Sequence, residues 1–290
     1  MSWASVRSAD EVEALGAPTI VYKYRSWNDG DNNAVNRIIT HQEIRLTKPT
    51  GLLADYHECS VFQDYDSVTE DDLMRKAAEM VDLKFPYARP AHRHNLIRKF
   101  RGMMVFEDPE HRKRVEKDHY TQLDNTIGVF CTSMESTNLK IWEYLGNLSK
   151  GYCVGFRTSL LYGKNFGTAG KVDYYDPQDP PKVKPISFSD KERIDKSMVE
   201  LFSVPNTYEY EAEYRFTKLN IGKDGTRVVN YTNQSRLITL PLEAYQCVIL
   251  GSDIEESDKD EIVFACSETL PGIPIYQAVI TDGKIQIRQI

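Results

Sequence analysis

The last third of the chain consists almost entirely of strand patterns, without a regular alternation of strands and helices. It contains the alternating segment YEYEAEYRFTKLNI, the apolar segments LITL and QCVILG, and two final strand patterns that meet at Asp282-Gly283. An Asp-Gly pair between two strand patterns predicts a β-hairpin. A doubly wound fold needs a crossover helix between successive parallel strands, so this pattern argues against one. We expect an α+β fold with a mixed, mostly antiparallel sheet or a split β-sandwich, and with peripheral helices.

The first two thirds add further strands and a helical segment. Residues 19–25 (TIVYKYR) and 152–158 (YCVGFRT) are rich in β-branched and aromatic residues, which predicts strands of the same core as residues 210–216. Residues 67–81 begin with a capping-box pattern and continue with apolar residues at helical spacing. We therefore expect one domain over residues 1–290, with a helical insertion at about 67–120.

Charge and cysteine content narrow the class of protein. The net charge of −7 argues against a protein that coats nucleic acid nonspecifically, because that mode needs many cations facing phosphates. The chain has five cysteines and no Cys-x-x-Cys pair, which predicts reduced, buried thiols. It shows neither a signal-peptide pattern nor an apolar stretch of membrane-spanning length. We expect a cytoplasmic protein without a membrane partner.

Histidines suggest a metal site only weakly. His92 and His94 are followed by His111 and His119, but no tight set of cysteines or carboxylates accompanies them. A solvated basic helix explains this region better, and no metal is expected. The chain also lacks the Gly-x-Ser-x-Gly motif of the α/β-hydrolases.

Three segments, in this order along the chain, resemble a bacterial family catalogued as domain of unknown function two-nine-seven-one. They are VYKYRS near the start, GVFCTSMESTNLKIWEYLGNLSKGYCVGF in the middle, and YEAEYRF followed by VILG near the end. The matching positions are Tyr22 to Arg25, Asp55, Glu58, Ser133, Trp142, Lys150-Gly151, Glu211, Glu213 and Arg215. The chain departs from the family pattern at Ala54, Tyr56, His57, Leu145 and Ser149. These departures leave open the role of the loop from Asp55 to Cys59.

The late motif places several charged residues together. In a strand through YEYEAEYRF, period two would put Glu209, Glu211, Glu213 and Arg215 on one face and aromatic residues on the other. A polar face of this kind is ordinary on the solvated side of an antiparallel sheet. The functional interpretation is that the face lines a cleft together with Arg25. Arg25 could also pair with one of these glutamates as a structural ion pair.

An Arg, a Ser and a Glu on three strands more remotely resemble the ADP-ribosyltransferase fold, a split β-sandwich that binds NAD. The resemblance implies that Glu213 is the catalytic carboxylate and that Glu211 orients the acceptor. It also implies that Arg25, Tyr24 and Ser133 bind NAD, which is the substrate. A carboxylate would stabilise the cation that develops on the ribose, and an Arg would hold the pyrophosphate. Such an enzyme could be a toxin or an anti-phage defence effector that modifies nucleic acid or protein.

Two other classes of function remain open. One is a nucleic-acid enzyme or binder, such as a metal-dependent nuclease, with phosphates held by Arg93, Arg98, Lys99 and Arg101. The other is a noncatalytic interaction module that binds a protein regulator or antitoxin. Loss of activity in a chelator favours the nuclease, whereas a strict NAD requirement favours the transferase. The interaction module predicts no turnover of any nucleotide.

Overall fold

The computed structural model describes residues 16–28, 36–55, 62–162, 166–222, 225 and 227–290. Its strands are β1 (Ile20–Arg25), β2 (Glu43–Arg45), β3 (Phe62–Gln63), β4 (Ile127–Ser133), β5 (Tyr152–Arg157), β6 (Thr168–Lys171), β7 (Asp173–Tyr175), β8 (Lys182–Val183), β9 (Ser203–Pro205), β10 (Glu213–Leu219), β11 (Leu237–Thr239), β12 (Tyr245–Leu250), β13 (Ile275–Thr281) and β14 (Lys284–Gln289). Its α-helices are α1 (Arg37–Thr40), α2 (Pro49–Asp55), α3 (Glu70–Lys84), α4 (Pro90–Gly102), α5 (Pro109–Thr126), α6 (Leu139–Tyr144), α7 (Thr158–Leu161), α8 (Asp190–Phe202) and α9 (Glu256–Thr269).

The central element is an eight-stranded sheet with the order β14-β13-β12-β5-β1-β4-β10-β6. Within it β12 and β13 run parallel, and the other neighbouring strands run antiparallel. Smaller two-stranded sheets pair β2 with β11, β3 with β8 and β7 with β9. The fold is α+β with a mixed, mostly antiparallel sheet and peripheral helices, which confirms the predicted fold class.

The sheet is weakly joined at its middle. β1 pairs with β5 along its whole length, and β4 pairs with β10 along its whole length. Between β1 and β4, in contrast, the pairing is restricted to Tyr22 opposite Ser133. The two strands therefore separate beyond this pair. The sheet is divided there into a part ending at β1 and a part beginning at β4.

Both faces of the sheet are covered by apolar packing. Successive residues along a strand point to opposite faces, so β1 directs Val21 into one cluster and Tyr24 into another. The first cluster includes Phe130, Phe156 and Phe216 from neighbouring strands and side chains of α1 and α9. The second is built around Trp142 of α6. Burial on both faces fixes the register of β1, since a slip of one residue would exchange the two faces.

The predicted helical insertion comprises α3, α4 and most of α5, which continues to Thr126. Thr69 caps α3, and its hydroxyl and the Asp72 carboxylate form a capping box, two residues after the helix start that the sequence pattern predicts at residue 67. Ala77 and Val81 of α3 pack against Ile97 of α4. None of the described helices has the length and apolar character of a membrane span.

The prediction of one continuous strand through YEYEAEYRF is wrong in its first half. Asn206–Glu211 form a 3₁₀ helix, and Ala212 has the left-handed φ of 44° before β10 begins at Glu213. The Ala212 N–H donates to the Glu209 carbonyl oxygen, which closes the last turn. Glu209 and Glu211 therefore do not share a strand face with Glu213.

Two sequence predictions fall partly or wholly on residues that the structure does not describe. The hairpin turn at Lys223-Asp224-Gly225 includes Lys223 and Asp224, which lie outside the described residues, although Ile221 and Val228 form an antiparallel bridge across it. In the loop from Asp55 to Cys59, residues 56–59 also lie outside them.

Candidate functional site

A cavity of about 500 Å³ opens where β1 and β4 separate. We call it the split cavity. Its lining includes four candidate residues from the sequence analysis, Arg25, Ser133, Glu211 and Glu213. Lys23 of β1 lines it as well. Residues more than 180 positions apart in the sequence thus meet at one place. The cavity has the volume of a small-molecule site, for which roughly 300–1,000 Å³ is usual.

Glu213 is fixed in a buried ion pair. Its Oε1 accepts from Nε of Arg215 at 2.8 Å, and its Oε2 accepts from Nη2 at 2.7 Å. Both side chains are only 3% exposed. Arg215 also donates to the Leu201 carbonyl oxygen, and the Glu213 N–H donates to the Tyr174 hydroxyl at 2.8 Å. Arg215 thus forms a structural ion pair with one of the late glutamates.

Glu211 has a different environment at the end of the 3₁₀ helix. Burial, and next the negative charge of Glu213, raise the pKa of its carboxyl to about 7, while Lys23 and Arg215 oppose this shift. Its main-chain carbonyl is held by the Ser133 hydroxyl, which donates to it at 2.7 Å. Glu211 thus offers a carboxyl that exchanges a proton near neutral pH, as general acid–base groups do.

Lys23 occupies the gap between the two strands. Its Nζ donates to the Cys131 carbonyl oxygen at 2.7 Å and lies 5.5 Å from the centre of the Phe130 ring. Burial, and next the positive charge of Arg25, lower the pKa of Lys23 to about 8. The sequence analysis assigns no role to Lys23. The signal that could have found it is a cation in the middle of an otherwise apolar and aromatic strand.

Ser133 and Tyr24 serve the scaffold of the cavity. The Ser133 hydroxyl, besides its bond to Glu211, accepts from the Glu135 N–H at 3.0 Å. Tyr24 borders the cavity, but its side chain is 4% exposed, its ring packs edge-on against Trp142, and its hydroxyl donates to the Glu135 carbonyl oxygen at 2.7 Å. Its ring lies on the opposite face of β1 from Lys23 and Arg25. The structure therefore does not bring the Tyr24 ring together with the other predicted residues.

A strained turn borders the mouth of the cavity. Asn147, Leu148 and Ser149 follow one another with φ values of 50°, 54° and 63°, a left-handed conformation that side chains disfavour. Gly151 closes the turn, because a Cβ there would collide with the Arg25 carbonyl oxygen. Tyr144, just before the turn, is 61% exposed and lines the mouth. Backbone strain of this kind is often found beside functional sites.

No family model matches the chain, and neither the curated proteins nor the solved structures give a match. The resemblances that the sequence suggested therefore stay predictions. The geometry of the split cavity supplies the case for a function.

The four cations considered for nucleic-acid binding all lie on α4, away from the lining of the split cavity. Arg93 donates twice to Asp82, both at 2.8 Å, and Arg101 makes a similar two-fold contact with Glu70. Arg98 and Lys99 are exposed. Two of the four cations are thus engaged by neighbouring carboxylates.

The histidines of the helical segment are dispersed. His119 lies 2.9 Å from both carboxylate oxygens of Glu200, and His92 and His94 are exposed. Within the ranges that the structure describes, no group of three or more His, Cys, Asp or Glu is arranged to hold a metal ion.

Proposed function

We propose that this protein is an NAD-dependent enzyme of the ADP-ribosyltransferase type, that it acts in the cytoplasm, and that the split cavity is its active site. The observation that carries the proposal is the convergence of Arg25 and Lys23 with Glu211 and Glu213 in a cavity between two separating strands. A dinucleotide needs cations for its pyrophosphate. The bond between its nicotinamide and ribose needs a carboxylate close to the ribose.

The different environments of Glu211 and Glu213 favour different roles for the two carboxylates. Glu213 has both oxygens occupied by Arg215, so it contributes a fixed negative charge behind the site. Glu211 lines the cavity with a carboxyl that ionises near neutral pH. The geometry therefore favours Glu211 as the carboxylate that acts on the substrate, with Glu213 in support. This reverses the order of importance that the family resemblance implies.

The proposed reaction transfers ADP-ribose from NAD to an acceptor on nucleic acid or protein. The bond between nicotinamide and ribose C1′ breaks, and its electron pair leaves with nicotinamide. A nucleophilic atom of the acceptor forms the new bond to C1′ and gives up its proton to Glu211. Arg25 contacts the pyrophosphate through its planar guanidinium group. The negative charges of Glu211 and Glu213 stabilise the positive charge that develops on the ribose.

The first test measures nicotinamide release from NAD, with RNA, DNA and cellular protein offered in turn. Losing a well-placed electrostatic contact at a reacting centre costs about a hundredfold to a thousandfold in rate, so we expect Glu211→Gln to lower release by that factor. Glu209→Gln is the matched control, because Glu209 is an exposed carboxylate on the same 3₁₀ helix. Wild-type turnover in Glu211→Gln would remove Glu211 from the mechanism.

The same assay separates the proposal from its alternatives. A wild-type protein that turns over no NAD with any acceptor is not a transferase. Chelator-sensitive cleavage of RNA or DNA without NAD would identify the metal-dependent nuclease. Binding of a protein regulator without any turnover would identify the interaction module.

The second test measures NAD affinity by calorimetry. We expect Arg25→Ala to weaken binding by about tenfold or more, since a charge-assisted contact to phosphate is lost. Arg157→Ala is the matched control at the far end of β5, where Arg157 is exposed and contacts Gln246. Tyr24→Phe should leave the affinity unchanged, because its hydroxyl is bonded to the Glu135 carbonyl oxygen. Equal affinities of wild type and Arg25→Ala would contradict the assignment.

A further inference from the structure

A second cavity, of about 680 Å³, lies between α3, α4, α5 and α8. We call it the helical groove. Its apolar wall comes from α3, from the end of α4 and from the turn that follows, and consists chiefly of Met80, Phe100, Met103, Met104 and Phe106. Methionine side chains are flexible and polarizable, so a wall of this composition adapts to apolar chains of different shape.

Positively charged side chains also line the groove. Lys76 of α3 donates to the Ser187 carbonyl oxygen at 3.3 Å, and Lys196 of α8 donates to the Pro185 carbonyl oxygen at 3.5 Å. Arg193, about one helical turn before Lys196, also lines the groove, as does Lys84 of α3. Lys76 and Lys196 thus contact the segment 185–187 from two helices.

Three of the lining cations have carboxylate partners that lie outside the groove lining. They are Glu79 for Lys76, Asp190 for Arg193 and Glu200 for Lys196. Among the described residues that line the groove, none is an aspartate or a glutamate. The groove lining therefore combines cations with apolar side chains and, among the described residues, carries no carboxylate of its own.

We propose that the helical groove is a binding site for a small anionic amphiphile, a monomeric long-chain carboxylate of the fatty-acid type. The apolar chain lies along the methionine and phenylalanine wall, and the carboxylate contacts Lys76 and Arg193. Charge complementarity selects an anionic head, and the apolar wall selects a hydrocarbon chain. The volume is within the roughly 300–1,000 Å³ of pockets that hold ligands of this size.

The test is calorimetric titration of the full chain with dodecanoate below its micellar concentration. Dodecyltrimethylammonium, with the same chain and the opposite charge, is the matched ligand control, and we expect it to bind at least about tenfold more weakly. From octanoate to dodecanoate the affinity should rise by about fourfold for each added methylene, the factor that corresponds to burying one CH₂ group. Equal binding of the two head groups would overturn the proposal.

Variants assign the binding to this groove. We expect the double variant Lys76→Met, Arg193→Met to bind dodecanoate about tenfold or more weakly, since two charge-assisted contacts are lost. Lys113→Met is its control, because Lys113 is 72% exposed on α5 and does not line the groove. Met103→Asp should weaken binding at the chain end, whereas Leu83→Asp, at an exposed position outside the lining, should not. Circular dichroism confirms that each variant folds.

The remaining outcomes count against the proposal. Unchanged affinity in both groove variants would place dodecanoate elsewhere. Binding to anionic vesicles but not to monomeric dodecanoate would make the surface a membrane contact. Self-association that Met103→Asp abolishes, without dodecanoate binding, would make the groove an interface between copies of the chain. All these measurements are independent of NAD turnover, so they stand whether or not the proposed function holds.

Discussion

The split cavity and the helical groove contain charged side chains in opposite arrangements. In the split cavity the carboxylates of Glu211 and Glu213 line the same space as Lys23 and Arg25. In the helical groove, Lys76, Arg193 and Lys196 have their carboxylate partners outside the lining. Burial shifts the pKa values of Glu211 and Lys23 toward neutrality, while the opposite charges beside them oppose the shift. This contrast supports the proposals of a reaction in the split cavity and of binding in the helical groove.

The largest effect is expected at the buried ion pair. Glu213→Gln removes the charge that balances Arg215 in a place where both side chains are 3% exposed, so we expect a loss of about 3–5 kcal/mol in the free energy of unfolding. Urea denaturation measures it. Replacing both partners, as Glu213→Met with Arg215→Met, should recover most of the loss because no charge is left unpaired. A Glu213→Gln variant as stable as wild type would show that the ion pair contributes little to the stability of the fold.

A smaller effect is expected from the titration of Glu211. Its carboxyl has a folded-state pKa of about 7, above the unfolded value of 4.5, so the folded state binds the extra proton. The free energy of unfolding should therefore fall as pH rises from about 4.5 to about 7. Glu211→Gln carries no such proton, and we expect it to exceed wild type by about 1–3 kcal/mol at pH 8 and to match it at pH 4.

Urea denaturation of both proteins across this range gives the comparison. The same ionisation should give the nicotinamide-release rate of the wild type a rising limb near pH 7, since Glu211 accepts the proton of the acceptor. A variant with the same pH dependence of stability as wild type would show that another group titrates.

The smallest effect is expected at an ion pair of the helical segment. Arg101 contacts Glu70 with good geometry, but the Glu70 side chain is 64% exposed to water. Pairs of this kind contribute little because solvent screens them. Arg101→Ala should leave urea denaturation within experimental error of wild type at moderate salt. A loss of unfolding free energy as large as that of Glu213→Gln would show that this exposed ion pair stabilises the fold as strongly as the buried pair.

Much of the fold could be predicted because the signals are local. The strand at residues 19–25, the helix that a capping-box pattern predicts over residues 67–81, and the turn at Asp282-Gly283 each depend on neighbours within a few positions. The structure confirms all three. The late strand was mispredicted because its alternation continues through residues 208–211, where a 3₁₀ helix and the left-handed Ala212 interrupt it. An alternating sequence pattern contains no signal for the left-handed backbone conformation at Ala212.

The sequence by itself determined the fold class, most of the strands, and the selection of Arg25, Ser133, Glu211 and Glu213 as residues of interest. The tertiary structure decided what each of them does. Arg215 pairs with Glu213, the Ser133 hydroxyl donates to the Glu211 carbonyl, and Lys23 reaches the Cys131 carbonyl 108 positions away. Periodicity and capping report contacts over a few residues. The separation of β1 from β4, and with it the cavity, arises from strands more than a hundred residues apart, whose pairing no local pattern encodes.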